Sequence, residues 1–459
     1  MKRIGWILAV GCLLLPIGCS KSDDDSSSGV KVPDGQTSFS WDTSVRSQEL
    51  SLTGIANWTA KSDNNCKNWC YPVKLSDKSN KIVLWVSPNI TGKARSGKVT
   101  ITIGGRSQTI EVSQPAFTGD LDTYEYHLPV VFHVLYKDES DELQNAKEAQ
   151  FVKILKAVNE LYAKNKMNIV FEMAKYNDEG EELAEAGIIR HQVDFEEFDP
   201  HEFLSDKEKG YADYTQNLKK YINIYFFHFK QTDAESTMLG LTTLPILPTA
   251  HPLSEIDKQL MTDQANDYAY LTTPYGVCIN NQFVEEWQDD KTYNPKYIVS
   301  TLAHELGHYL GLLHTFSEVE CEQDDGCDDT HISDYENYID YITSYIEQQQ
   351  KAEKRMTIDE VATRTDCKTG EEFVADNILD YVYTKSNVFT AQQKARTRHV
   401  MEYGALVPGP KLIDYNTTGI ISSSTNKSSR RAVASRPGLV QTDPCPPIPV
   451  RHLPQVRSK

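Results

Sequence analysis

The chain has 459 residues, of which 39% are hydrophobic and 24% charged, with a formal net charge of −18. That length accommodates two or three domains, and the composition is that of a globular protein, not a disordered or fibrous one. The acidic balance argues against nucleic acid as a partner, because a polyanion is repelled by a surface of its own sign.

Lys2 and Arg3 precede an apolar run at 6–17 that is too short to span a bilayer, so residues 1–19 read as a targeting segment. Gly18 and Cys19 follow, and then the polar run 20–25. A cysteine behind a small residue at this place resembles the bacterial lipoprotein cleavage box. The resemblance implies lipid on Cys19 and a membrane as partner. The acidic run resembles the surface-export signal of Gram-negative lipoproteins, which implies an outer-membrane or cell-surface location. Seven cysteines remain once Cys12 leaves with the signal and Cys19 carries lipid. An exported compartment permits disulfides, and an odd count leaves at least one thiol outside an intrachain bridge. Cys66 and Cys70 are near enough to pair across a bent loop. At least one bridge is expected among Cys321, Cys327 and Cys367, with its connectivity open.

Residues 20–36 are rich in Ser, Asp and Gly and read as a flexible tether. Residues 37–117 hold short β-branched runs at 82–86, 99–103 and 109–112, divided by turn signals such as Pro88 with Asn89 and Gly104 with Gly105. This spacing predicts an all-β, Ig-like sandwich. Trp58, Trp69 with Cys70, the stretch 89–97 and the ending Val112, Ser113, Gln114 resemble a BACON domain, which implies a carbohydrate-binding module. Trp58 and Trp85 read as core instead of a sugar platform, which favours a spacer or docking role.

A linker at 118–125 leads into an α+β region over 125–405. Residues 128–136 read as a strand in which His133 is a packed side chain, not a ligand. Apolar residues at Phe151, Ile154, Leu155, Val158, Leu161 and Tyr162 give a helix over 145–164 with one buried face. Strands follow at 167–173, 222–229, 238–245 and 276–279. Asn294 and Pro295 are placed to open the next helix.

That helix carries His304, Glu305 and His308. Two histidines four apart share one helix face and reach one metal ion, and Glu305, beside the first, reaches a metal-bound water without ligating the metal. A third histidine, His314, joins them only if the helix stops. Gly311, which adopts positive φ at low cost, supplies the stop. Three imidazoles with one open position describe a catalytic zinc site.

The pattern H-E-x-x-H-x-x-G-x-x-H is the metzincin signature. The wording from His304 to Phe316 resembles the pappalysin/cytophagalysin branch of metzincin proteases, and the resemblance extends over roughly 125–405. It implies a twisted mixed sheet backed by a long helix, with the zinc helix beneath. It implies that the strand containing Leu239, Gly240 and Leu241 is the edge to which an extended peptide substrate adds. Leu379 stands in the slot of the family's methionine turn, where leucine supplies a similar apolar floor. Tyr381 stands where a tyrosine leans towards the zinc to stabilise an oxyanion. The acidic run 320–330 is a candidate Ca²⁺ site, with Asp328, Asp329 and Thr330 in a recognisable family segment and His331 in place of its proline.

Residues 333–366 read as an insertion, with an aromatic stripe from Tyr335 to Ile346 at helical spacing and a capping box between Thr357 and Glu360. A further helix follows from about 389 to 403. Residues 406–459 lack periodicity and read as a flexible tail that could instead wrap the catalytic domain and give Cys445 a partner. The sequence therefore predicts a lipid-anchored zinc endopeptidase with Glu305 as general base. The alternatives are a surface carbohydrate- or protein-binding lipoprotein with a vestigial protease, and a non-peptide hydrolase on the same zinc site.

Overall fold

The computed structural model of the chain describes Val32, residues 36–413 apart from 45, 54–56, 75–79, 179, 232–235, 261–271 and 289–292, and the C-terminal pairs 442–443, 448–449 and 456–457. The targeting segment, with Cys19, and Cys445 lie outside the described residues.

The N-terminal unit is a two-sheet sandwich. One sheet runs β1 (Ser38–Ser40), β7 (Arg106–Gln114), β6 (Arg95–Ile103), β3 (Trp58–Ser62), and the other runs β2 (Ser47–Ser51), β5 (Lys81–Val86), β4 (Cys70–Lys74). Alternation places Val99, Ile101 and Ile103 of β6 and Ile110 and Val112 of β7 inward, against Trp41, Trp58 and Trp69. Cys66 and Cys70 are buried in this core as free thiols and do not bridge; the Cys66 thiol donates instead to the Lys98 carbonyl at 3.4 Å.

The second unit is built on β8 (Tyr126–Tyr136), whose near-continuous apolar sequence is that of a strand covered on both faces. It pairs in parallel with β9 (Ile169–Met173) and β10 (Ile188–Gln192) on one side and with β11 (Ile222–Phe227) on the other. A short helix, α2 (Pro200–Ser205), precedes β11, and β12 (Ser236–Thr237) follows it. Next to β11 lie β14 (Val277–Asn280), parallel, and then β13 (Gly240–Thr243), antiparallel. The backing helix α1 (Glu148–Lys164) buries Phe151, Ile154, Leu155, Val158 and Tyr162, the face set by its spacing. His133 is packed as expected: it is buried, bonded to the Asn223 amide oxygen at 2.9 Å and stacked on Tyr225, and burial lowers its pKa to about 3.

The helix α3 (Ile298–Tyr309) crosses beneath β13 and β14 and starts at Ile298, three residues after Pro295. The expected Asn294 cap closes a separate turn instead, its side-chain oxygen accepting from the Lys296 N–H at 2.9 Å. Beyond α3, the strands β15 (Phe316–Ser317) and β16 (Ser333–Asp334) lead into the inserted helices. These are α4 (Tyr335–Lys351) and, after β17 (Met356–Thr357), α5 (Ile358–Ala362); Thr357 and Glu360 form the predicted capping box. The hairpin β18 (Thr363–Thr365) with β19 (Glu372–Val374) follows, then α6 (Ala391–Tyr403), opened by a second capping box between Thr390 and Gln393. The insertion has its own apolar cluster, in which Tyr338, Ile342 and Ile346 meet Tyr381 and Leu239 at the cleft.

The expected tail boundary falls inside packed structure. Leu406 and Val407 are buried with the main core, and the Leu406 carbonyl accepts from the Tyr309 hydroxyl at 3.0 Å. Three further strands, β20 (Thr442–Asp443), β21 (Ile448–Pro449) and β22 (Val456–Arg457), pair with β13, β12 and β17.

Candidate active site

Helix α3 ends in a Schellman turn. The Leu312 N–H donates to the Gly307 carbonyl at 3.0 Å, the Gly311 N–H donates to the His308 carbonyl at 2.8 Å, and Gly311 sits at φ +88°. A Cβ on Gly311 would lie 2.7 Å from Val400 of α6, so the turn requires glycine twice over. The chain then doubles back and delivers His314 to the face carrying His304 and His308.

The three Nε2 atoms lie 2.9, 3.1 and 3.3 Å apart. His304 donates its Nδ1–H to the Ile378 carbonyl at 2.7 Å, and His308 donates its Nδ1–H to the Leu312 carbonyl at 2.9 Å. Each of those rings therefore turns a bare Nε2 lone pair towards the centre. Burial and the neighbouring imidazoles push His304 and His314 well below the ordinary histidine range, which keeps them neutral. Neutral lone pairs held this close repel unless a cation sits between them. Bonds of roughly 2.0–2.1 Å at tetrahedral angles would set such nitrogens about 3.3 Å apart. The donor set fits a metal ion, and among the described residues this is where His, Cys and acidic ligand atoms converge.

Glu305 is 1% exposed and turns towards β13. Its Oε2 accepts from the Thr242 hydroxyl at 2.5 Å. Its side chain lies directly on Gly240, where a Cβ would come within 2.4 Å of Oε1. Of the proposed substrate-binding residues, Leu239 lines the cleft with His304, Glu305 and Tyr381. Gly240 forms the contact surface for the carboxylate, whereas Leu241 packs into the core on the opposite side with Phe203 and Phe227.

Leu379 is fully buried beneath α3, and a Cβ on Gly307 would meet its Cδ2 at 3.0 Å. It thus provides the apolar floor expected at the methionine slot. The Tyr381 ring centroid lies 5.9 Å from that of His304 and 6.3 Å from that of His314. Its loop is held by a residue that the sequence did not single out. Arg364, from the insertion, is fully buried, forms an ion pair with Asp380 and donates to the Tyr381 carbonyl at 2.6 Å. Thr242 was missed likewise. A lone threonine in a strand and a lone arginine in an insertion carry no sequence signal for these contacts.

The acidic run does not form a converging cluster. Asp324 pairs with Lys368 at 2.9 Å, Asp325 accepts from the Cys327 N–H and the Thr330 hydroxyl, and Asp329 caps α6 through the Gln392 N–H at 3.0 Å. These carboxylates fold the loop, and a Cys321–Cys367 disulfide ties it to the insertion, leaving Cys327 as a thiol.

Residues 276–402 match the pregnancy-associated plasma protein-A peptidase family. Residues 56–115 match the BACON family, described as an N-terminal binding domain. Among solved structures the chain is similar to mature mirolysin of Tannerella forsythia in complex with a cleaved peptide. The identity is 19% and the TM-score 0.41, over 61% of this chain and 94% of that one. A Tannerella forsythia promirolysin mutant matches at 18% identity and a TM-score of 0.41, over 62% and 83% of the two chains. A protein from Bacteroides thetaiotaomicron solved by NMR matches at 20% identity and a TM-score of 0.18, over 22% and 100%. No curated protein matches. Residues 56–115 thus match a BACON domain, and residues 276–402, which include all three histidines and Glu305, match the peptidase domain of the pregnancy-associated plasma protein-A family.

Proposed function

We propose that the catalytic domain hydrolyses peptide bonds in extended protein segments, with zinc held by His304, His308 and His314. When bound, zinc would lower the pKa of a water to about 7 and polarise the substrate carbonyl. The substrate backbone aligns along β13. Glu305 takes the proton of the attacking water on its carboxylate and passes it to the leaving amine. The Thr242 hydroxyl fixes the rotamer of that carboxylate. Tyr381 stabilises the oxygen that gains negative charge. The observation that supports this reading is the convergence of three Nε2 atoms beside a buried glutamate on one helix and its turn. Glu305→Gln, nearly isosteric, is expected to bind one zinc per chain and to cut a quenched peptide library at least about 10²-fold more slowly. Wild-type cleavage by that variant, or full activity of metal-free protein, overturns the mechanism.

For location, we propose lipidation at Cys19 and display at a membrane surface, on the strength of the short apolar run ending in Gly18 and Cys19. Palmitate labelling that persists in Cys19→Ala refutes it.

A further inference from the structure

We infer that the C-terminal segment, through its described pairs 442–443 and 448–449, occupies the substrate edge of the cleft of its own chain and holds the protease in a latent state. The inference rests on the reading of β13 as that edge.

Two of the described pairings bear on it directly. Thr442 and Asp443 pair antiparallel with Thr243 and Thr242. Ile448 and Pro449 pair antiparallel with Thr237 and Ser236. From Ser236 to Thr243 is seven steps, and from Thr442 to Pro449 is also seven. Both pairings therefore belong to one register, without a slip, on either side of the stretch that contains Leu239 and Gly240. The connecting residues 444–447 lie outside the described residues. A backbone partner on β13 is what an extended substrate would supply, and Thr242 is both a partner of Asp443 and the donor to Glu305. Tail and substrate cannot use the same edge at once.

The third pairing gives the segment a second anchor. Val456 and Arg457 run parallel to Met356 and Thr357 of the insertion. Met356 belongs to the apolar cluster that contains Leu239 and Tyr381 on the cleft wall. The segment is thereby held to the sheet edge at one end and to the insertion at the other.

Its sequence suits an occupant that is not consumed. Pro444, Pro446, Pro447 and Pro449 stand in the paired stretch or between its halves. Proline fixes φ near −65° and removes the N–H, so the segment loses little freedom on docking and is tolerated only at an edge. It also makes most of the bonds there X–Pro bonds, whose ring nitrogen carries no proton and crowds the bond to be cut.

The test compares the full mature chain with a chain ending at residue 413. The truncated chain is expected to cleave a quenched peptide library at least tenfold faster. A synthetic peptide of residues 440–458 added in trans should reverse the gain competitively and remain uncut. Hydrogen exchange in the Glu305→Gln background gives a readout independent of catalysis. The amides of residues 237–243 should exchange at least tenfold faster once the tail is removed. Unchanged exchange with equal cleavage overturns the latency inference and leaves the protease reading standing. Faster exchange with no cleavage by either chain supports tail docking and overturns the protease reading. Faster exchange with equal cleavage overturns latency.

Discussion

Gly240 is the position where the smallest change tests the catalytic geometry most sharply. In Gly240→Ala the new methyl carbon would stand 2.4 Å from Glu305 Oε1 and 2.6 Å from its Cγ and Cδ. A relaxed contact needs roughly 3.5 Å, so the carboxylate must withdraw by about 1 Å. Glu305 is buried and bonded to Thr242, which leaves it little room to withdraw without breaking that bond. A displacement of about 1 Å at a catalytic group costs on the order of 10²-fold in rate, or about 2.7 kcal/mol of barrier. Overpacking costs a further ~1–3 kcal/mol of stability. The metal should stay, because the nearest contacts of the new methyl all fall on Glu305 and not on the three histidines. The assay is kcat on a quenched peptide, with metal content and thermal midpoint measured on the same sample. The expected result is a kcat lower by about 10²-fold, a KM within a few-fold of wild type and one zinc per chain. A variant with wild-type kcat would show that the carboxylate beside Gly240 takes no part in the rate-limiting chemistry.

Other changes test separate parts of the structure. Arg364→Met leaves Asp380 buried without its cation and should cost roughly 3–5 kcal/mol in denaturant unfolding; the double change Arg364→Met with Asp380→Leu should recover most of it. If the single variant unfolds like wild type, the buried pair does not hold the Tyr381 loop. Leu379→Met conserves volume and should change stability by less than about 1.5 kcal/mol, with unaltered kcat, whereas a large loss would mean that leucine at this site does more than fill space. Asp325 is raised from 3.8 to about 6, chiefly by burial. A raised carboxyl favours the folded state at low pH, and that contribution is lost as pH climbs from about 4 through 6. Asp325→Asn should therefore be more stable to denaturant than wild type at pH 7.5, by at most about 3 kcal/mol, and the gain should vanish near pH 4. A pH-independent difference would rule this out.

Much of this molecule was legible because its signals are local. The α1 face, the capping box at Thr357 and the stop at Gly311 each depend on residues within one or two turns, and each stands where the spacing put it. Asn294 misled because an Asx turn and a helix cap use the same side-chain oxygen, and only the direction of the following backbone separates them. Cys66 and Cys70 misled because proximity in sequence does not set the directions of two Cβ atoms, and both thiols turn into the sandwich core. What could not be read was long-range. The Thr242–Glu305 contact spans 63 residues, and the pairing of the tail with β13 spans about 200. A polar, Pro-rich tail has no periodicity of its own because the register is supplied by the strand it joins.

The sandwich bears on the choice between a protease and a glycan-capturing protein. A sugar platform needs an aromatic face open to solvent. Trp41, Trp58 and Trp69 are buried in the sandwich core, and the Arg95 guanidinium lies 4.5 Å above the Trp69 ring. Trp85 meets Tyr221 of the catalytic domain edge-on at 6.3 Å. Around it, Arg46 pairs with Glu172 at 2.6 Å and Lys220 lies over Tyr71, while Ile90 of the sandwich belongs to the catalytic core cluster. The tryptophans of the described sandwich are therefore committed to its core or to this contact. Glu172 belongs to β9, at the far end of the sheet order from β13. A domain fixed there leaves the β13 edge to the segment that pairs with it, whether substrate or the chain's own tail. The contacts of the sandwich thus lie on the β9 side of the sheet, and the pairing of Thr442 and Asp443 lies on the β13 side.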